Sequence, residues 1–214
     1  TAARIQPVLK LRATPYVLLA IVVALSVGVR SFRLEQPCTD PCRAGAASLI
    51  FDEAYYVSAA RRIAGVPAPS RRASYADAPP AVDPNAEHPQ LAKLVMAAGI
   101  EVFGDRPLGY RLGSLLAGIA VLLLMFVVVR AAGGSAWLAL ATTAVLAADN
   151  LFTVHGRIAM LDIYALAFML GGVALYLRQR PVLAGIVLGV GATTKVVGIY
   201  ALFILGLLEL GRWA

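Results

Sequence analysis

Six uncharged apolar blocks dominate this chain: Ala13 to Val29, Leu112 to Val129, Ala131 to Ala148, Ile163 to Leu177, Pro181 to Thr194 and Val196 to Leu208. The first three approach the roughly 20 residues that a helix needs to cross a hydrocarbon core of about 30 Å. The last three are shorter and must borrow flanking residues, tilt, or lie where the bilayer is locally thinned. A seventh apolar stretch, Leu91 to Phe103, carries Lys93 near its start and Glu101 near its end. It is about two-thirds of a span. One long polar region, from about Ser31 to Gly109, separates the first block from the second.

Composition agrees with the blocks. Of 214 residues, 60% are hydrophobic and 14% charged, where a soluble chain carries about 25% charged. The expected class is an all-α integral membrane protein, a polytopic helical bundle. The net charge of +7 does not mark a nucleic-acid binder, because Lys and Arg flank the apolar blocks instead of forming a footprint. Those flanks set topology. If Leu91–Phe103 does not cross, then Arg4, Lys10, Arg12, Arg130, Arg178, Arg180 and Arg212 share one side, which the positive-inside rule makes cytoplasmic. If it crosses, Arg130, Arg178 and Arg180 fall outside, against the rule. The stretch therefore reads as an interfacial helix, and six spans follow.

The chain divides accordingly. Residues 1–30 form a cytoplasmic N-terminus and first span, 31–109 an extracytoplasmic loop, and 110–214 the remaining spans with two further outer turns. The first block reads as a retained span, since no small-residue cleavage site and soluble domain follow it. Thr1 and an apolar block running almost to Ala214 suit a part of a longer polypeptide. Within the loop, Asp52 to Ala64 has helical composition, with Arg61 and Arg62 suited to a helix C-terminus and Gly65 beyond it. Pro67 to Pro84 reads as an irregular, mobile connection, and His88-Pro89 opens the interfacial helix. Cys38 and Cys42 favour a small disulfide loop in an oxidising compartment; metal binding would need further ligands such as His88 and an acid. Gly185-x-x-x-Gly189 and Gly171-Gly172 read as close helix packing.

With this topology the polar chemistry gathers on the outer face: Asp52, Glu53, Glu87, His88 and Lys93 from the first loop, Asp149, Asn150, His155, Arg157 and Asp162 from the second, Lys195 from the third. An Arg or Lys can bind a phosphate, and a carboxylate in reach of a hydroxyl can act as general base. The plainer alternative is a set of interfacial residues that snorkel and satisfy helix ends. A transporter would place polar residues at mid-membrane, and these blocks have almost none.

Five ordered segments resemble the opening module of protein O-mannosyltransferases: F-D-E-A-Y-Y from Phe51, H-P-Q-L-A-K from His88, F-G-D-R-P-L-G-Y-R-L from Phe103, A-D-N-L-F-T-V-H-G-R-I-A-M-L-D from Ala148 and A-T-T-K-V-V-G-I-Y from Ala192. The resemblance implies a GT-C membrane fold and a donor of dolichyl- or polyprenyl-phosphate mannose. It implies that Asp52 is the base that deprotonates the acceptor hydroxyl and that Glu53 supports it. Arg157, Lys195 and Lys93 are then expected to hold the donor phosphate, with His88, Asp162 and Asn150 in supporting positions and Asp162 orienting Arg157. Gln90 and Ala92 stand where the family has Pro and Gly, which leaves related lipid-linked sugar transferases open.

The mechanism implied is an inverting single displacement, with cations stabilising the departing polyprenyl phosphate. A divalent metal near that phosphate stays open, with no ligand spacing that demands one. Implied partners are the lipid-linked sugar, an extracytoplasmic protein or glycan acceptor and membrane lipid, with homo- or hetero-oligomers open. The expected location is a bacterial cell membrane, or the endoplasmic reticulum for a eukaryotic chain. The competing function is a catalytically silent, lipid-binding assembly subunit.

Overall fold

The structure, a computed structural model, describes the backbone of residues 2–36 and 49–213 and the side chains of residues 13–36 and 49–211. Cys38 and Cys42 lie outside the described residues. The described residues form helices α1 (Ala2–Ser31), α2 (Glu53–Ile63), α3 (Leu91–Phe103), α4 (Pro107–Ala131), α5 (Ala136–Ala148), α6 (Asn150–His155), α7 (Asp162–Leu177), α8 (Pro181–Ala192) and α9 (Ile199–Trp213), with a 3₁₀ turn at Val196–Gly198 before α9. No strand occurs among them.

Local sequence explains most of the boundaries. Pro107 and Pro181 occupy the first turns of α4 and α8, where a missing N–H costs no helical bond. Ser135 caps α5 by accepting from the Leu138 amide at 3.1 Å. Gly65, at φ 70, follows the end of α2. The expected block from Ala131 to Ala148 is shortened: Ala131 completes α4, and Gly133, at φ 89, turns the chain before α5 begins at Ala136. Glycine takes that left-handed conformation without a Cβ penalty.

Two helical segments, Ala13–Ser31 and Pro107–Ala131, are long and apolar enough to cross a membrane; four shorter apolar segments cover 136–148, 162–177, 181–192 and 196–211. Tyr16, Val17, Ile21, Leu25 and Val29 are exposed along α1, as are Phe203, Ile204, Leu207 and Leu208 along α9. Such continuous apolar faces match lipid better than water. Arg130 and Arg178 line one cleft with Tyr16, so those two basic flanks share an end of the bundle.

α7 packs against α4 and α8, α4 against α3 and α5, α1 against α5, and α2 rides on α3. The main core lies under α2 and α3: Tyr56, Val57 and Ala60 meet Met96, Ile100, Tyr110 and the Ile158–Tyr164 segment. Backbone approach sets the α3–α4 contact, because a Cβ on Gly99 would overlap the Gly109 carbonyl oxygen. The expected packing glycines are partly different ones. Gly185 and Gly189 face open space, whereas Gly172 lies against Leu188 and Gly191 against Phe168. Gly99→Ala is expected to cost about 1–3 kcal/mol through overpacking, read as a lowered Tm, while Gly185→Ala, which meets open space inside a helix, raises Tm slightly.

Candidate active site

Neighbours on a helix point about 100° apart, and that separates the acid pair. Asp52 is the N-cap of α2 and exposed; Glu53, the first helical residue, is fully buried. Arg111 of α4 grips Glu53 in a fork, Nε to Oε1 at 2.7 Å and Nη2 to Oε2 at 2.8 Å. The Ala159 amide donates to Oε1 at 2.9 Å and the Ile50 amide to Oε2 at 3.3 Å. Arg111 Nη1 donates to the carbonyls of Leu34 at 2.6 Å and Gln36 at 2.8 Å. One buried pair thus joins α2, α4, the segment before α7 and the chain leaving α1.

Asp52 keeps most of its lone pairs open. It caps no helix amide, and the Tyr56 hydroxyl donates to Oδ2 over a long 3.3 Å. It lines a cleft of about 310 Å³ with Tyr55, Tyr56, Tyr75, Glu87 and His88. The His88 ring meets Tyr56 edge-on, with centroids 5.5 Å apart. Burial first, and then the charges of Asp52, Asp162 and Glu87, push the Tyr56 phenol well above its ordinary value. Tyr56 therefore remains a protonated donor throughout the neutral range, and three carboxylates act on it.

The expected cations part company. Lys195 Nζ pairs with Asp162 Oδ1 at 2.7 Å, both partly exposed. Asp162 thus engages Lys195 where the sequence suggested Arg157. Arg157 donates through Nη2 to the carbonyls of Phe32 at 3.0 Å and Arg33 at 2.7 Å. Its Nε is buried without a partner among the described residues. Burial and the Arg111 charge lower the Arg157 pKa, with Glu35 opposing. The turn bearing Arg157 adjoins α2 through the bond from Ala159 to Glu53.

Lys93 is not available in this arrangement for the expected phosphate contact. It is fully buried, paired with Asp83 at 2.6 Å and donating to the carbonyls of Asn85 at 2.5 Å and His88 at 2.9 Å. A buried ammonium so engaged holds the loop that carries His88. Asn150 is exposed at the first position of α6, whose amide end is capped by Asp149 through the Phe152 N–H at 2.6 Å. The described contacts do not join Asn150 to the Asp52 cleft. Among the described residues no three His, Cys, Asp or Glu side chains gather as a metal site, so the cleft offers no fitted set of ligands for the divalent ion left open by the sequence.

The Pro67–Pro84 connection is irregular, as its composition implies, but tied down. Arg62 donates from Nη2 to the Ala78 carbonyl and accepts at its own carbonyl from the Ala81 amide at 2.8 Å. The Asn85 amide group donates to the Tyr75 hydroxyl at 2.9 Å. The Leu91 amide donates to the Thr193 carbonyl at 3.0 Å, which brings the start of α3 to the turn preceding Lys195.

Residues 86–213 match the family model described as dolichyl-phosphate-mannose-protein mannosyltransferase. The chain belongs to this family. A polyprenol-phosphate-mannose–protein mannosyltransferase of Corynebacterium glutamicum is 33% identical over 82 residues, covering 38% of this chain and 16% of the relative. One of the same description from Mycolicibacterium smegmatis is 25% identical over 169 residues, covering 79% of this chain and 30% of the relative. The chain therefore spans less than a third of the length of these curated relatives. No solved structure matches it.

In this mannosyltransferase-family chain the family match takes in His88, Lys93, Arg111, Arg157, Asp162 and Lys195, and begins after the Asp52-Glu53 pair. Sequence reasoning missed the roles of Arg111, Asp83, Asn85 and Tyr75. For Arg111 a signal existed: a cation in the first turns of an apolar helix must find a counter-charge once buried. Nothing in the composition of the Pro67–Pro84 connection singles out Tyr75.

Proposed function

We propose that this chain carries the outer-face reaction centre of a membrane glycosyltransferase. The reading is transfer of mannose, or a related sugar, from a polyprenyl phosphate to a hydroxyl of an extracytoplasmic acceptor, a Ser or Thr of a secreted protein being the preferred case. The single observation that carries it is the division of the acid pair: Glu53 is consumed by Arg111, while Asp52 is exposed and lines the cleft. An exposed carboxylate lining a cleft that an acceptor hydroxyl can enter suits a general base.

The step balances as a single displacement. The acceptor oxygen forms a bond to the anomeric carbon as its proton passes to an Asp52 carboxylate oxygen. The bond from that carbon to the phosphate oxygen breaks, and the electron pair leaves with the polyprenyl phosphate. That group is already a good leaving group and needs charge stabilisation more than a proton. Lys195 is the first candidate to supply it, since its ammonium is partly exposed and only one carboxylate holds it. Arg157, with one unpartnered guanidinium nitrogen, is the second. Glu53 serves as a positioning residue, and Lys93 fixes the loop carrying His88.

The test is transfer of labelled mannose from synthetic polyprenyl-phosphate mannose to a Ser/Thr peptide, by membranes expressing the natural polypeptide. The expected product carries one hexose in a linkage inverted relative to the donor. A retained linkage, or no transfer from this donor, overturns the reading. Lys195→Met is expected to remove a charge-assisted contact worth about 1.5–3 kcal/mol, which raises the donor KM roughly tenfold or more with little change in acceptor KM.

A further inference from the structure

We propose that the cleft shared by Arg130 and Arg178 is a site for an anionic phospholipid. The two guanidiniums hold its phosphate, and an acyl chain lies along Leu19, Leu123 and Val127. This cleft is remote from the acid pair. α4 carries Arg111, the partner of Glu53, near its start and Arg130 in its last turn. Roughly 28 Å of helix separates the two arginines, and nothing at the Arg130 end depends on the transferase reading.

The first observation is a pair of unanswered charges. Arg130 belongs to the last turn of α4 and Arg178 is the C-cap of α7, yet both line one cleft. Arg130 is held in place, donating from Nη1 to the Gly134 carbonyl at 2.7 Å. Neither guanidinium pairs with a carboxylate among the described residues, and no acid lines the cleft. Two like charges around one space repel unless an anion sits between them. These residues offer no such anion. Of the twelve Asp and Glu residues, all but Glu209 fall on the side that the charge rule makes outer. Glu209 is engaged elsewhere, accepting from the Tyr176 hydroxyl.

The walls select the class of anion. Beside the arginines the cleft is lined by Leu19 of α1 and by Leu123, Phe126 and Val127 of α4. Tyr16 closes one side, meeting Phe126 edge-on with centroids 5.6 Å apart. Leu123 is exposed, as are Val17 and Ile21 on α1, so the walls continue into the apolar face of the bundle. The volume, about 500 Å³, falls within the ~300–1,000 Å³ of ligand-sized sites. A cationic rim on apolar walls fits an amphiphile with an anionic head. A soluble phosphate would leave the walls uncovered, and a zwitterionic head would bring its own cation beside two guanidiniums. Anionic lipids are carried by the cytoplasmic leaflet, where basic pockets between helices bind their head groups. The basic flanks assign this end to that leaflet.

The test titrates dioctanoyl phosphatidylglycerol into the natural polypeptide in a neutral detergent, with bound lipids counted by native mass spectrometry. Phosphatidylglycerol is expected to add one more tightly held lipid than dioctanoyl phosphatidylcholine does at equal concentration. Arg178→Gln and Arg130→Gln should each weaken that lipid roughly tenfold or more, the effect of losing one charge-assisted contact. Arg180→Gln, at the same end but outside the cleft, should leave it unchanged. If Arg130→Gln melts early through loss of its bond to Gly134, Arg178→Gln carries the test, because no described ion pair depends on Arg178. Phosphatidylcholine held equally well, or an equal loss in Arg180→Gln, reduces the pair to ordinary flanking charges and overturns the proposal. Glycerol phosphate bound as tightly as the lipid also overturns it, since the site would then read a phosphate without its chain.

Discussion

Replacing Asp52 by Asn is expected to lower kcat for sugar transfer by about 10²–10⁴-fold, the range for loss of a general base, with Tm and donor KM close to wild type. The separation of activity from stability follows from its position. Asp52 is exposed, and its side chain satisfies no amide of α2. Its one described bond, from Tyr56 at 3.3 Å, survives on an Asn carbonyl oxygen. The amide keeps size and shape and loses the proton-accepting charge. Initial-rate kinetics with saturating polyprenyl-phosphate mannose, beside a melt of the same preparation, separate the two effects. An undiminished kcat removes Asp52 from the chemistry.

The raised Tyr56 phenol offers a second readout. Asp52, Asp162 and Glu87 add to burial in disfavouring the phenolate, so Asp52→Asn moves the Tyr56 pKa downward, while burial still holds it above the ordinary tyrosine value. A group with a raised folded-state pKa is stabilising while protonated, and that contribution is lost as pH climbs through the folded pKa. Tyr56 therefore adds nothing to the pH dependence near neutrality, and any neutral-range activity profile belongs to other groups.

Much of the helical order was legible because membrane helices advertise themselves as uninterrupted apolar runs. α2 and α3 follow the expected Asp52–Ala64 and Leu91–Phe103 closely. The third apolar block was misjudged because Gly133 and Gly134 are themselves uncharged and do not break an apolar tally, although they end a helix. Two helices are long and apolar enough to cross a membrane; the crossings expected of the shorter helices rest on charge placement.

Pairing was the less legible layer. Which cation meets Asp162 depends on contacts 33 residues apart, and the chain resolves it in favour of Lys195. Lys93 beside a polar loop looks like a free surface cation until its burial under the 83–88 segment is known. The glycine misjudgement has the same root: G-x-x-x-G places two small residues on one face, but only tertiary structure says whether a neighbour lies there. Gly172 against Leu188 and Gly99 against Gly109 have one.

Breaking the Glu53–Arg111 pair is expected to have the largest effect on folding. Both side chains are fully buried, and removing one partner of such a pair costs about 3–5 kcal/mol because the survivor is left charged and dry. Glu53→Gln and Arg111→Met should each lower Tm sharply and reduce transfer by more than the folded protein lost accounts for. The double variant Glu53→Leu/Arg111→Met decides what the pair is for. Removing both charges relieves the desolvation penalty, so its stability should exceed that of either single variant, a coupling that a double-mutant cycle measures. Yet the Ala159 amide loses its acceptor Glu53 and the carbonyls of Leu34 and Gln36 lose their donor Arg111, and the turn bearing Arg157 is no longer tied to the start of α2. Stability recovered with kcat still depressed is therefore the expected pattern, and it would identify Glu53 as the residue that positions Asp52 against the cations. A double variant that is both stable and fully active would mean that α2 packing on α3 alone holds the base in place.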